Sequence, residues 1–241
     1  MFNVPTVTVA KTTLDGTSSS VTLDYAAPDG VSWTPRHLVV RTDTKSVGAE
    51  QDVYIRFNGD TGTNYHLQRL IAYGTTKSAQ LASDYTRLKF GTSPVSTAAE
   101  EFSSGEMLIP DALSTRSHKS TISFTGNIED RVSAYAGRWA STAAITSVTF
   151  VQNTLAFAAG STFELCVVDE SFNIDQDGDG EQILGSDGTF SVGSISAADG
   201  DLVCIGNVRS DRTYNWDAVK LSLNSDTTAA NYNTQWLYGV D

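Results

Sequence analysis

The sequence has few of the residues that direct a chain to disulfide-stabilised, metal-binding or membrane-spanning classes. Its 241 residues include two cysteines and three histidines, and charged residues make up 18%. Cys166 and Cys204 lie in apolar, strand-like runs without CxxC spacing, which predicts two small buried side chains rather than a disulfide framework or a zinc site. No run of 18 apolar residues occurs, so we expect no transmembrane helix. No basic segment followed by an apolar run opens the chain, so we expect no signal peptide.

The sequence also lacks the usual catalytic patterns. His37, His66 and His118 are scattered, without HxH or HExxH spacing, and no GxSxG, SxxK or P-loop motif occurs. Neighbouring carboxylates such as Asp169 and Glu170 would point to opposite faces of a strand, which does not suit a cooperating acid and base. We therefore predict that the protein is not an enzyme. A β-sandwich glycosidase or lyase, with two carboxylates converging from distant positions, stays open at the level of sequence.

The chain is strongly acidic, and its negative charge is distributed unevenly along the sequence. The formal net charge is −12, of which residues 1–171 carry −4 and residues 172–241 carry −8. A negative surface repels phosphate backbones, so nucleic-acid binding is disfavoured. The simplest role for this charge is solubility.

The residues that are abundant favour an all-β fold. Hydrophobic residues make up 40% of the chain, enough for a packed core, and short alternating runs are separated by turn residues. Residues 75–105 are predicted as a long surface loop with one short strand, and weak helical patterns occur at 98–102 and 129–136. The predicted strands are 20–24, 38–41, 53–57, 67–73, 88–90, 107–109, 120–125, 145–151 and 162–168. About nine strands at irregular spacing favour a jelly-roll type β-sandwich over an immunoglobulin domain.

One stretch of the sequence occurs twice. Residues 38–74 contain LVVR, DVYIRFNGDTGTNY and HLQRLIAYG, and residues 202–239 contain LVCI, DAVKLSLNSDTTAANY and NTQWLYG in the same order. This repeat predicts four parts. They are an extended N-terminal arm or edge strand (1–19), a sandwich (20–171), an acidic Gly/Asp linker (172–188) and the first half of a second sandwich (189–241). A half sandwich leaves an unpaired sheet, so we expect that the chain continues past Asp241, or else that a neighbouring subunit completes the fold.

The predicted linker contains a candidate calcium loop. Asp175, Asp177, Asp179 and Glu181 alternate with other residues around Gly178, which is the spacing that brings several oxygen ligands to one hard cation. Such a loop also needs a carboxylate at its twelfth position, where this chain has Ser186, followed by Asp187. No flanking helices are predicted. The alternative is a solvated acidic linker in which glycine provides flexibility.

Two further groups of residues have both a binding and a structural interpretation. Arg209, Arg212, Tyr214 and Trp216 form an aromatic and basic segment suited to contact a partner protein, or an ordinary loop between strands. Asn58 and Asp60 lie in the turn NGDTG and could hold a cation or a sugar hydroxyl. Side chains of Asn and Asp in such turns more often bond to their own backbone.

Three separated blocks of the sequence resemble a known group of proteins. The blocks are IRFNGDTGTNY, GEMLIPDALSTRSHKS and WASTAAITSVTF…FAAGSTFEL, and the second copy adds VRSDRTYNWDAVKLSLN. Together they resemble the jelly-roll structural proteins of tailed-phage virions. The resemblance covers most of residues 20–168 and again 200–241. The chain departs from the group where its first module ends in LCVVD and where the second NGDTG-like turn lacks glycine.

The resemblance implies a structural role on a virus particle. Members of the group are capsid decoration or cement proteins, head fibres and tail-associated proteins, frequently trimers. It therefore implies a virion protein assembled in the host cytoplasm, with the major capsid protein and further copies of itself as partners. The alternative within the same group is a tail fibre or adsorption protein that binds host surface glycans.

Overall fold

Twelve β-strands arranged in two sheets make up the architecture in the computed structural model. The structure describes residues 5–31, 34–95, 101–127 and 131–169, and the described part contains no helix. The strands are β1 (Thr6–Thr13), β2 (Ser20–Asp24), β3 (Leu38–Thr44), β4 (Gln51–Phe57), β5 (Tyr65–Tyr73), β6 (Thr76–Tyr85), β7 (Leu88–Ser93), β8 (Ser103–Ile109), β9 (Lys119–Asn127), β10 (Arg131–Trp139), β11 (Ser147–Gln152) and β12 (Thr162–Val168). The prediction of an all-β sandwich is confirmed.

The two sheets differ in size. The larger has eight strands in the order β1-β12-β3-β8-β9-β10-β5-β6, and the smaller has four in the order β2-β11-β4-β7. Neighbouring named strands pair antiparallel throughout. Because four strands cannot cover eight, part of the inner face of the larger sheet extends beyond the smaller one. The β5–β6 hairpin lies at that end of the larger sheet.

The main core lies between the sheets and is rich in aromatic residues. Phe150 packs against Phe163 with ring centroids 4.9 Å apart, and Phe163 packs edge-on against Phe157 at the same distance. A second aromatic group joins Phe57 to Trp139, with centroids 5.6 Å apart. The alternation that predicts strands explains this core, because residues at every second position of a strand face the same side.

One lysine is fully buried at the edge of this core. The Lys119 ammonium donates to the carbonyl oxygens of Ser114 at 2.6 Å, Ser117 at 2.7 Å and Thr142 at 3.4 Å. A buried charge is tolerated only when it is compensated, and these carbonyls supply the compensation. Lys119 thereby ties the segment before β9 to the segment after β10.

Two secondary-structure predictions were wrong. Residues 76–85 form strand β6, although the sequence predicts a surface loop there. Nearly all of β6 is exposed, so its order comes from pairing with β5 rather than from burial of one face. Residues 131–139 form strand β10, although 129–136 carry a helical pattern. Strand β10 pairs with β9 on one side and β5 on the other, and this pairing outweighs the helix propensity of its alanines.

Other predictions are confirmed or stay predictions. The N-terminal segment contributes β1, which pairs with β12 at the end of the larger sheet. Cys166 is buried as predicted. The predicted linker, the second module, Cys204 and the predicted continuation past Asp241 lie outside the described residues. No helix in the described part is long and apolar enough to cross a membrane.

Candidate interaction surface

The outward face of the larger sheet carries apolar side chains across neighbouring strands. We call this set the outer patch, and it is defined by the register of β5, β6, β9 and β10. Its members are Leu70, Leu81, Ile122, Phe124 and Val132. Val132 and Leu81 are each 66% exposed, Phe124 is 42% exposed and Ile122 is 41% exposed. Large apolar side chains at this exposure on adjoining strands are typical of contact surfaces rather than of scattered surface residues.

Strand β9 shows most clearly how the sequence builds the outer patch. Its Thr121, Ser123 and Thr125 point inward and are buried, whereas Ile122 and Phe124 point outward and are exposed. This is the reverse of the usual pattern for a strand with one solvated face. The strand therefore places its apolar side chains where a surface contact would bury them.

Close packing explains why the inward side of β9 carries small residues. A Cβ at Gly91 of β7 would lie 3.1 Å from Oγ1 of Thr125, and a Cβ at Gly105 of β8 would lie 2.8 Å from the Thr125 methyl group. The edge of the smaller sheet thus approaches β9 too closely for a side chain larger than threonine at position 125. The alternation of the sequence could not predict this limit on side-chain size, because the limit depends on the distance between the sheets.

On the same face of the larger sheet, toward β12, apolar side chains form a second cluster, and this one is buried. Val39, Leu108, Cys166 and Val168 form this cluster, separate from the main core. Burial raises the pKa of the Cys166 thiol, and neighbouring groups add smaller effects in both directions. Its thiol is therefore neutral at ordinary pH and poorly nucleophilic, which agrees with a packing role.

Two of the charged residues on this face pair with each other. Nε of Arg41 lies 3.2 Å from Oε2 of Glu106, and the Glu106 side chain is only 4% exposed. Nη1 of Arg41 also donates to Oγ1 of Thr6 at 2.9 Å. The pair adds no net charge to this part of the face, in a chain whose net charge is −12.

The NGDTG turn has a structural role that reaches beyond its own backbone. Asn58 adopts a positive φ of 52°, and its Oδ1 accepts from the backbone N–H groups of Thr146 at 2.7 Å and Ser147 at 3.2 Å. Its Nδ2 donates to the carbonyl oxygen of Ala144 at 2.8 Å. The side chain therefore fastens the turn to the segment that leads into β11.

Asp60 completes the turn with three hydrogen bonds. Its carboxylate accepts from the N–H of Gly62 at 2.7 Å, from Nδ2 of Asn64 at 2.9 Å and from Nε1 of Trp139 at 2.6 Å. Burial alone would raise the pKa of Asp60, but the hydrogen bonds outweigh that effect and lower it. The bond to Gly62 matches the predicted backbone interaction. With both oxygens occupied, the structural interpretation is favoured over a cation or sugar site.

The three sequence blocks that resemble virion proteins contact each other in the structure. The first block reaches the third through the bonds from Asn58 to Thr146 and from Asp60 to Trp139. The second block reaches the third where the N–H of Ile145 donates to the carbonyl of Ala112 at 3.0 Å. The blocks are thus parts of one folded network, although they are separated in sequence.

Few of the other residues singled out in the sequence can be placed. His37 has a structural contact, because its Nδ1 accepts from the N–H of Asp111 at 2.8 Å. Within the described ranges, no group of three or more His, Cys, Asp or Glu residues is arranged to hold a metal ion. The candidate calcium ligands and the aromatic-basic segment lie outside the described residues. They are Asp175, Asp177, Asp179, Glu181, Arg209, Arg212, Tyr214 and Trp216.

Comparisons with known proteins give no external assignment. Neither the family models, nor the curated proteins, nor the solved structures contain a match to this chain. Inferences about function therefore depend on the residues and contacts of the chain itself.

Proposed function

We propose that this chain is a structural protein of a tailed-phage virion. In this proposal it is a capsid decoration or cement protein, or a head fibre, and its sandwich is of the jelly-roll type. It associates with copies of itself, as a trimer, and binds the major capsid protein or another virion protein. The sequence support is the resemblance of three blocks that form one contact network in the sandwich. The structural observation that carries the proposal is the outer patch.

A second copy of the chain is the occupant that the outer patch fits best. The patch is apolar, and the ion pair between Arg41 and Glu106 beside it is internally neutral. Two chains of net charge −12 repel each other least when their contact excludes unpaired charge. Homo-oligomer interfaces are also the more apolar class of protein interface.

Solution mass tests the assembly part of the proposal. Sedimentation velocity on the full chain should give three times the chain mass of 25.8 kDa. Phe124→Glu should shift the protein to monomer, because burying an unpaired carboxylate in an interface is unfavourable. Leu155→Glu is the matched control, since Leu155 is an exposed apolar residue outside the patch. A wild-type monomer at all concentrations, or equal effects of both variants, would contradict the role of the patch, and a wild-type dimer would contradict the trimer.

The virion itself tests the structural role. Mass spectrometry of purified particles should detect the chain at many copies, and labelled particles viewed by electron microscopy should show it on the head. Label at the tail tip would instead support the adsorption protein. Absence of the chain from purified particles would refute the proposal.

A further inference from the structure

A small cleft lies between the β5–β6 hairpin of the larger sheet and strands β4 and β7 of the smaller sheet. Its volume is about 200 Å³. Asp52 and Tyr54 of β4 and Lys89 of β7 line one wall, with Arg87 from the turn before β7. Arg69 of β5 lines the other wall. The cleft exists because the hairpin extends past the edge of the four-stranded sheet.

The charge of this cleft is opposite to that of the whole chain. Arg69, Arg87 and Lys89 line it together with a single carboxylate, Asp52. Nζ of Lys89 lies 2.5 Å from Oδ1 of Asp52, so one of the three cations is directly neutralised. Two positive charges remain in excess. Since the chain carries −12, these cations define a local site for an anion rather than a general property of the surface.

Arg69, one of these cations, has a buried side-chain donor without a hydrogen-bond partner in the described residues. Nε of Arg69 is buried and makes no hydrogen bond within the described part of the chain. Tyr135 lies directly opposite Arg69 on β10 and is only 2% exposed. Buried polar groups without partners are uncommon in folded proteins, and a bound ion or an ordered water is a common explanation. A guanidinium presents a planar set of donors that matches a carboxylate.

The opposite wall is held in place before any ligand arrives. The guanidinium of Arg87 stacks on the Tyr54 ring, 3.9 Å from its centroid, and Nη2 of Arg87 donates to Oδ1 of Asn153 at 2.8 Å. The Tyr54 hydroxyl donates to Oδ2 of Asp52 at 3.1 Å. Burial, then the nearby Asp52 carboxylate, raise the pKa of Tyr54 to about 12, so it stays a neutral donor. A preformed wall lowers the entropy cost of binding.

We propose that this cleft binds a single sugar ring that carries a carboxylate, the uronic-acid class, either free or as a unit of an acidic polysaccharide. The carboxylate pairs with the Arg69 guanidinium. Asp52 disfavours a dianion such as phosphate, because like charges repel at short range. The exposed ring of Tyr85 at the rim supplies an apolar surface for the sugar face. At about 200 Å³ the cleft lies below the range of roughly 300–1,000 Å³ found for drug-sized ligands, which suits one ring.

Such a ligand goes beyond the proposed assembly role and does not depend on it. The cleft lies on the inward side of β5, whereas the outer patch faces the other way. A glycan ligand is what an adsorption protein would use. Failure of the cleft to bind a uronate would leave the assembly proposal intact, and a monomeric protein would leave the cleft intact.

Calorimetric titration of the full chain tests the cleft. The probes are methyl glucuronide, methyl glucoside, tetragalacturonate, inorganic phosphate and a tetraglutamate peptide. We expect methyl glucuronide to bind at a millimolar dissociation constant, at least tenfold more tightly than methyl glucoside, and to weaken as salt rises. Tighter binding of tetragalacturonate would identify the polysaccharide as the source, and equal binding would identify the free sugar.

Two variants connect the binding to the proposed residues. Arg69→Met keeps much of the aliphatic packing and should weaken glucuronide binding at least tenfold, with no change for methyl glucoside. Arg138→Met is the matched control, because Arg138 is an exposed arginine on the outward side of β10. If thermal melting shows that Arg69→Met does not fold, Arg69→Lys replaces it, with the same expected loss, because lysine lacks the planar donor set of arginine. The proposal is overturned if glucuronide binding is undetectable or unchanged in the folded variant, or if methyl glucoside, phosphate or the peptide binds at least as tightly.

Discussion

Replacing Asp60 by alanine should destabilise the sandwich, because one carboxylate satisfies three donors from different parts of the chain. The substitution leaves the indole N–H of Trp139 without its 2.6 Å acceptor, although the Trp139 side chain is 2% exposed. An unsatisfied buried donor costs about 1–3 kcal/mol, and a hydrogen bond to a charged group contributes about 1.5–3 kcal/mol. Gly62 and Asn64 are nearer to solvent and can turn to water. We therefore expect a loss of about 2–4 kcal/mol in the free energy of unfolding.

The assay is urea unfolding of the full chain, followed by tryptophan fluorescence at pH 7. Asp29→Ala is the matched control, since Asp29 is an exposed loop aspartate, and it should change stability by less than about 0.5 kcal/mol. Trp139→Phe in the Asp60→Ala background should cost less than in the wild type, because the indole donor has already lost its acceptor. Equal stability of Asp60→Ala and wild type, or full additivity of the two substitutions, would refute the assigned role of this carboxylate.

The pH dependence gives a second readout of the same group. The pKa of Asp60 is lowered in the folded protein from its ordinary value of 3.8. Its contribution is therefore fully present above pH 3.8 and is lost as the pH falls through the lower, folded pKa. The stability difference between wild type and Asp60→Ala should shrink in that acidic window. A difference that stays constant on acidification would contradict the charge-assisted bonds.

Other buried groups give three more predictions. Lys119→Met should destabilise the protein by about 2 kcal/mol, because it leaves carbonyl oxygens without their donor; a urea midpoint equal to that of the wild type would contradict this. Tyr65 has a pKa raised from 10.0 to about 12, chiefly by burial, so its contribution of about 3 kcal/mol is fully present below pH 10 and is lost as the pH rises through 12. Tyr65→Phe should flatten that alkaline loss, which melting curves between pH 9 and 12 would show. Gly137→Ala would place a Cβ 2.5 Å from Oγ1 of Thr121 and should cost about 1–3 kcal/mol, partly recovered by Thr121→Ala; no recovery would place the strain elsewhere.

The alternating strands show how far sequence patterns reach. The predicted bounds of β2 agree with those observed, and β4 differs from its predicted range by two residues at its start. In both, every second side chain is apolar and buried, so the period of two carries the information. Strand β6 carries no such period, because its order depends on hydrogen bonds to β5 rather than on burial. Hydrophobic periodicity therefore cannot predict a strand of this kind.

The outer patch and the cleft are harder to predict from the sequence than the strands are. Ile122 and Phe124 belong to an alternating run that predicts a strand, yet alternation does not state which face is covered. Arg69, Arg87 and Lys89 carry no motif, since they reach one cleft only when the hairpin passes the edge of the smaller sheet. A signal is present in the reversal of β9, where hydroxyl residues alternate with large apolar ones. Its meaning depends on the neighbouring sheet.

The sequence by itself determined the class of fold, the positions of most strands and the turn at Asn58. Each of these depends on local chemistry: the two-residue period of strands, and side chains that bond to nearby backbone. Tertiary structure alone decided which side of β9 is inside, which donors Asp60 satisfies and which cations share a cleft. These outcomes depend on distances between strands that are far apart along the chain. Such distances are fixed only when the two sheets pack.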